Sequence, residues 1–132
     1  NLANSSEFFL NLFTLIPGTI PSSSALLFSP SVSLCNSSQN IVSNKITNAS
    51  GSNISFKECV NIQNWTGYIS VKINGSDQSL LSGTKSVKAL NGKSVFSDLV
   101  FSKTAEGSRF RLEFYIFNTY YQVSSSSFDV LP

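Results

Sequence analysis

Apolar residues in this chain fall at every second position over short runs, and each run stops at a turn. In Tyr68-Ile69-Ser70-Val71-Lys72-Ile73, the branched residues Ile69, Val71 and Ile73 point one way and Ser70 and Lys72 the other. Asn74-Gly75-Ser76-Asp77 then turns the chain. Phe110, Leu112, Phe114 and Ile116 share a face opposite Arg109, Arg111 and Glu113. A period of two with one polar face specifies an antiparallel strand that is wet on one side. No window keeps apolar residues at helical spacing without Gly, Pro or a β-branched residue interrupting it. Strand-like runs also cover 84–90 and 93–101, joined by Asn91-Gly92, a strong hairpin signal. Tyr120 to Val130 reads as a last strand interrupted by Ser124-Ser125-Ser126-Ser127. Further strands are expected at 31–36, 40–46 and 54–62, with a loop at 48–52. Many short strands separated by turn residues define an all-β sandwich or barrel of about nine strands.

The chain has 132 residues, enough for one domain with its own core. Charged residues make up only 12%, with Ser and Asn in their place, so solubility has to come from something other than side-chain charge. The net charge of +2 is scattered and offers no footprint for nucleic acid. No run approaches the roughly 20 apolar residues of a membrane span. The absence of methionine fits a processed chain or a segment of a longer one.

Six Asn-x-Ser/Thr acceptor sequences occur, at Asn4, Asn36, Asn48, Asn53, Asn64 and Asn74, where 13 Asn in a Ser/Thr-rich chain would give about three by chance. Five lie between Asn36 and Asn74, a concentration that points to N-glycosylation and an extracellular or cell-surface location. In such a compartment Cys35 and Cys59, separated by 23 residues, are expected to pair, contributing on the order of 3 kcal/mol.

No catalytic constellation is legible. Histidine is absent, so acid–base work would fall to seven carboxylates spread singly along the chain: Glu7, Glu58, Asp77, Asp98, Glu106, Glu113 and Asp129. No nucleophile elbow, phosphate loop or metal-ligand spacing occurs, and neither an enzyme nor a bound cofactor is expected. Phe114, Tyr115, Phe117, Tyr120 and Tyr121 could form a sugar-binding platform, but sheet core and cross-strand pairing account for them more simply. Trp65, inside a sequon, reads as core packing beside a glycosylated turn.

The stretch from Ile69 to Val130 resembles an immunoglobulin-like repeat of extracellular proteins, found in tandem in bacterial adhesins. The matching residues are Leu81-Ser82-Gly83-Thr84, Val87, Ala89, Asn91-Gly92, Val95-Phe96-Ser97-Asp98-Leu99, Gly107, Phe110-Arg111-Leu112 and Ser127-Phe128-Asp129-Val130. Upstream, 30–44 is similar to that family's first strands. The resemblance implies an immunoglobulin-like antiparallel β-sandwich used as a spacer or adhesive module, with no shared active site. The region around 47–66 reads as an insertion carrying Cys59 and three sequons.

The segment before Pro17 has no counterpart in that family. Phe8, Leu10, Leu12 and Ile16 lie on one face and Phe9, Phe13 and Leu15 on the other, so a strand here needs cover on both sides. Pro17-Gly18, Pro21 and Ser22-Ser23-Ser24 follow as a linker. Residues 1–21 are therefore expected to form a separable strand and linker, and 22–132 the sandwich. The segment could be donated to a neighbouring copy, building an extracellular glycosylated filament head to tail. The alternatives are a module of a longer surface protein, flanked by similar modules, and a carbohydrate- or protein-binding receptor domain.

Overall fold

The computed structural model describes residues 3–26, 29–36, 45–47, 53–55, 60–62, 64–75 and 77–132. Residues 40–44 of the strand expected at 40–46, residues 56–59 of the strand expected at 54–62, the loop at 48–52, Asn48 and Cys59 lie outside the described residues. In chain order the strands are β1 (Phe8–Leu12), β2 (Thr19–Pro21), β3 (Ser31–Asn36), β4 (Lys45–Thr47), β5 (Asn53–Ser55), β6 (Val60–Asn61), β7 (Tyr68–Ile73), β8 (Leu81–Ser82), β9 (Ser86–Lys88), β10 (Lys93–Val95), β11 (Val100–Phe101), β12 (Arg109–Phe110), β13 (Leu112–Tyr115), β14 (Gln122–Ser124) and β15 (Phe128–Leu131). Among the described residues there is no α-helix, only 3₁₀ turns at Gln78–Leu80 and Lys103–Ala105.

The protein is an all-β sandwich, antiparallel except where β2 joins β15. One main sheet runs β1-β3-β10, with β6 also on β3, and the other runs β14-β13-β7-β9; β12-β15-β2, β11-β8 and β4-β5 form smaller sheets. β13 and β7 pair through Leu112–Ile73 and Phe114–Val71 on the inner face and Glu113–Lys72 on the outer. Alternation thus converts directly into one buried and one wetter surface: Ile69, Val71 and Ile73 are buried, while Lys72 is exposed, its ammonium 3.3 Å from the partly buried Glu113. Between the sheets Phe96 meets Phe114 at 5.3 Å between ring centres. Further along the sandwich Phe101 lies against both Phe110 and Phe128.

Several of the fifteen segments are halves of longer strands, which is why the sequence suggests fewer. β12 and β13 break at Arg111, and β14 and β15 break opposite them at the serine run. Here Ser125 is buried and its hydroxyl accepts from the Leu112 amide at 3.0 Å, replacing a ladder bond that the extra residues remove. The Asn91-Gly92 turn forms with both central residues at positive φ, 52° and 79°. Its arms, however, part at once: β9 joins β7 in one sheet and β10 joins β3 in the other. The turn therefore links the sheets rather than extending one.

The segment read as a linker is part of the body. β2 pairs in parallel with β15, and the amides of Ser22, Ser23 and Leu26 donate to Leu131, Phe101 and Leu99. Ile16, Ile20 and Leu26 are buried in the common core. Proline and serine signalled a break, but Pro21 lies on an edge strand, where a missing N–H costs little. Ser23 takes the positive φ (62°) of a turn that brings the chain back onto the sheet.

Candidate functional site

β1 crosses into the same sheet as β3, in register from Phe8–Asn36 to Leu12–Val32. Its inner face carries Leu10, buried, with Phe8 and Leu12 packed against the core. Past the strand, Ile16 is buried while Phe13 and Leu15 are exposed, with the Lys93 ammonium 5.4 Å from the centre of the Phe13 ring. The chain thus covers the inner face of its own first strand. Cys35 is buried on β3 and disulfide-bonded. β6, which follows Cys59 in the sequence, pairs with Cys35 and Asn36.

One end of the sandwich concentrates most of the features singled out in the sequence. The start of β1, the end of β3, the 62–68 loop, the Asn91-Gly92 turn and the 116–121 turn all meet there. Tyr121 ties the first of these to the last. Its hydroxyl accepts from the Ser5 amide at 2.7 Å and donates to the Ala3 carbonyl at 2.8 Å, and its ring meets Phe8 edge-on. Burial raises the Tyr121 pKa above its ordinary 10.0, against the opposing effect of the Ser5 hydrogen bond, so the hydroxyl keeps the proton that it donates. The 62–68 loop is held from below: Ile62 donates to Leu34, Leu34 to Gly92, Gly92 to Trp65, and Ala89 to Gly67. A side chain at Gly92 would meet the Ile62 carbonyl at 2.7 Å. One at Gly67 would collide with the Trp65 ring, so glycine is what lets that indole lie down on the loop.

Between the 65–68 and 116–119 segments lies an open hollow of about 620 Å³, lined by Trp65, Gly67, Tyr68, Ile116, Phe117, Asn118 and Thr119. Tyr68 and Phe117 are exposed and Trp65 is half-buried against the core. Of the five aromatics considered as a platform, Phe114 and Tyr121 are buried and Tyr115 is half-buried beneath the Lys72 ammonium. Phe117 and Tyr120 are exposed. Trp65 and Tyr68 complete the aromatic surface; neither the loop position of Trp65 nor the strand-start position of Tyr68 gave a sequence signal that they would share a hollow with Phe117.

Asn4, Asn36 and Asn64 lie at the same end. Asn4 is exposed and its side-chain oxygen accepts from the Tyr120 amide at 2.7 Å, a bond that leaves the glycan-accepting nitrogen out of it. Asn36 closes β3, half-buried, and Asn64 is exposed in the loop that carries Trp65. Asn53 sits on β5, in a β4–β5 hairpin between Asn36 and Val60, which pair with each other. Asn74 is exposed at the far end of β7, its nitrogen 3.4 Å from Glu113.

The described acids that bond do so structurally. Asp77 accepts from the Ser79 amide, Asp98 from the amide and hydroxyl of Thr84, Asp129 from Arg109, and Glu106 from Ser22. Those bonds lower the pKa values of Asp77, Asp98 and Asp129. Among the described residues no three His, Cys, Asp or Glu side chains converge on a metal position, and no helix is long and apolar enough to cross a membrane. Compared with protein-family models, curated proteins and solved structures, the chain matches none of them.

Proposed function

We propose that the chain is an immunoglobulin-like module of an extracellular, N-glycosylated surface protein, acting as a spacer or adhesive unit and not as an enzyme. One observation carries the reading, the strand order of the two main sheets. β3 is partnered by β10 and β7 by β13, from far along the chain, and the first strand divides between sheets as β1 and β2. Two packed antiparallel sheets with such long-range pairings are the plan of immunoglobulin-like sandwiches. The exposed acceptors Asn4, Asn64 and Asn74 support glycosylation, and the structural engagement of the acids supports a non-catalytic role.

Assembly into a filament by strand donation would have to extract β1, and with it Leu10, from this core. Sedimentation of the glycosylated chain, with electron micrographs of the same sample, separates the two readings. A single monomeric boundary is expected; long fibres would overturn the module reading in favour of strand exchange.

A further inference from the structure

We propose that the aromatic hollow is the seat of the chain's own glycan, the one carried by Asn64. The inference rests on the glycosylated-module reading and deepens it by assigning one sugar a fixed position. Asn64 is exposed and covalently next to Trp65, whose ring forms part of the lining. The first sugar of an Asn64 glycan is thus tethered beside the hollow, at an effective concentration no free ligand matches. The lining suits a sugar: Trp65, Tyr68 and Phe117 are aromatic, and the partially negative face of an aromatic ring attracts the polarised C–H edge of a pyranose. Asn118 and Thr119 add polar groups that can meet hydroxyls or an acetamido group. A volume of about 620 Å³ falls within the size of small-ligand sites.

The loop is built to hold still while it does this. Trp65 is fixed at its carbonyl by the Gly92 amide and at its own amide by Ile62, and Gly67 lets the ring lie flat. On the other wall the Thr119 hydroxyl donates to the Ile116 carbonyl at 2.7 Å, closing the 116–119 turn. A docked glycan would cover Phe117, which is 75% exposed, and Tyr68, which is 57% exposed. It would thereby shield an aromatic surface that otherwise invites association.

Trp65 is the chain's single tryptophan, so tryptophan fluorescence reports on one residue, which lines the hollow. The experiment compares the secreted glycosylated chain with Thr66→Ala, which removes the acceptor signal at an exposed position while keeping Asn64. Site occupancy is read by mass spectrometry of the Asn64 peptide, and Trp65 exposure by acrylamide quenching. The expected result is an occupied Asn64 and a quenching constant at least about twofold higher in Thr66→Ala, as an aromatic face loses its cover. Phe117→Ala, which removes one wall but keeps the sequon, should raise quenching toward the same level. An Asn64 that carries no sugar while other acceptors do would overturn the inference and leave the module reading standing. Equal quenching with Asn64 occupied would also overturn it, and would mark the hollow as open to a free saccharide or a neighbouring protein. A chain without sugar at any acceptor would sink the inference together with the glycosylated part of the module reading.

Discussion

The two sheets answer to water differently, and the difference explains what can be read from their sequences. In the β14-β13-β7-β9 sheet the outer face is wet. β7 accordingly alternates without error, with Ile69, Val71 and Ile73 buried and Tyr68 and Lys72 exposed. In the β1-β3-β10 sheet the central strand is covered on both faces. Val32, Ser33, Leu34 and Cys35 are all buried, and no alternation survives. A strand with two dry faces has no polar side to mark it, so its sequence reads as a mere short apolar or mixed run. The same covering explains why β1 is apolar on both faces. Leu10 faces the core, and on the other face Phe9 is half-buried opposite Cys35.

The sharpest way to break this comparison is to hollow out the dry sheet. Leu10→Ala should cost about 3 kcal/mol of unfolding free energy, because Leu10 is buried opposite Leu34 and the strand cannot collapse into the space. Chemical denaturation monitored by circular dichroism measures it. A loss under about 1 kcal/mol would mean that β1 does not contribute to this core.

A subtler test concerns the cost of covering both faces. Ser33 is fully buried, and its hydroxyl has no hydrogen-bond partner among the described residues. Ser33→Ala removes a stranded polar atom and should therefore stabilise the chain by up to about 1 kcal/mol. On the wet sheet Ser70 bonds to Ser86 across the strands, so Ser70→Ala should be neutral or slightly destabilising. Equal signs for the two substitutions would erase the distinction drawn between the sheets.

The smallest effect is electrostatic and belongs to the β12-β15-β2 sheet that continues the wet side. Arg109 donates to Asp129, and this hydrogen bond depresses the Asp129 pKa below its ordinary 3.8. A carboxylate with a depressed folded value favours folding when ionised. Its contribution is complete above about pH 3.8 and is lost as the pH falls through the lower folded value. Asp129→Asn should flatten that acid limb of a thermal-stability profile slightly, since both partners are exposed and screened. An unchanged limb would leave the pair without a stabilising role.

Legibility follows the same division. The strands at 68–73 and 109–116, the Asn91-Gly92 turn and the serine break at 124–127 all announce themselves through local chemistry. What stayed hidden is non-local. Nothing in Asn91-Gly92 says that its arms enter different sheets, and nothing in Pro21 or Ser22 says that they dock beside Leu131 rather than span a gap. The aromatic hollow is hidden for the same reason. Trp65 and Phe117 are far apart in the chain, and only the alignment of the start of β7 with the end of β13 brings them to one place.

The account turns on β1 belonging to its own sandwich. Leu34 sends its amide to Gly92 and accepts from Ile62, away from β1. Antiparallel pairing therefore assigns the hydrogen-bonded positions of β1 to Phe9 and Asn11, followed by Phe13, whose amide reaches the Ser31 carbonyl at 2.9 Å. Amide hydrogen exchange on the monomeric chain, repeated after strong dilution, tests this directly. The account predicts slow exchange at Phe9, Asn11 and Phe13 that does not change with concentration. Rapid exchange in the monomer, with protection appearing only as the chains associate, would contradict it and make β1 a strand given to a neighbour.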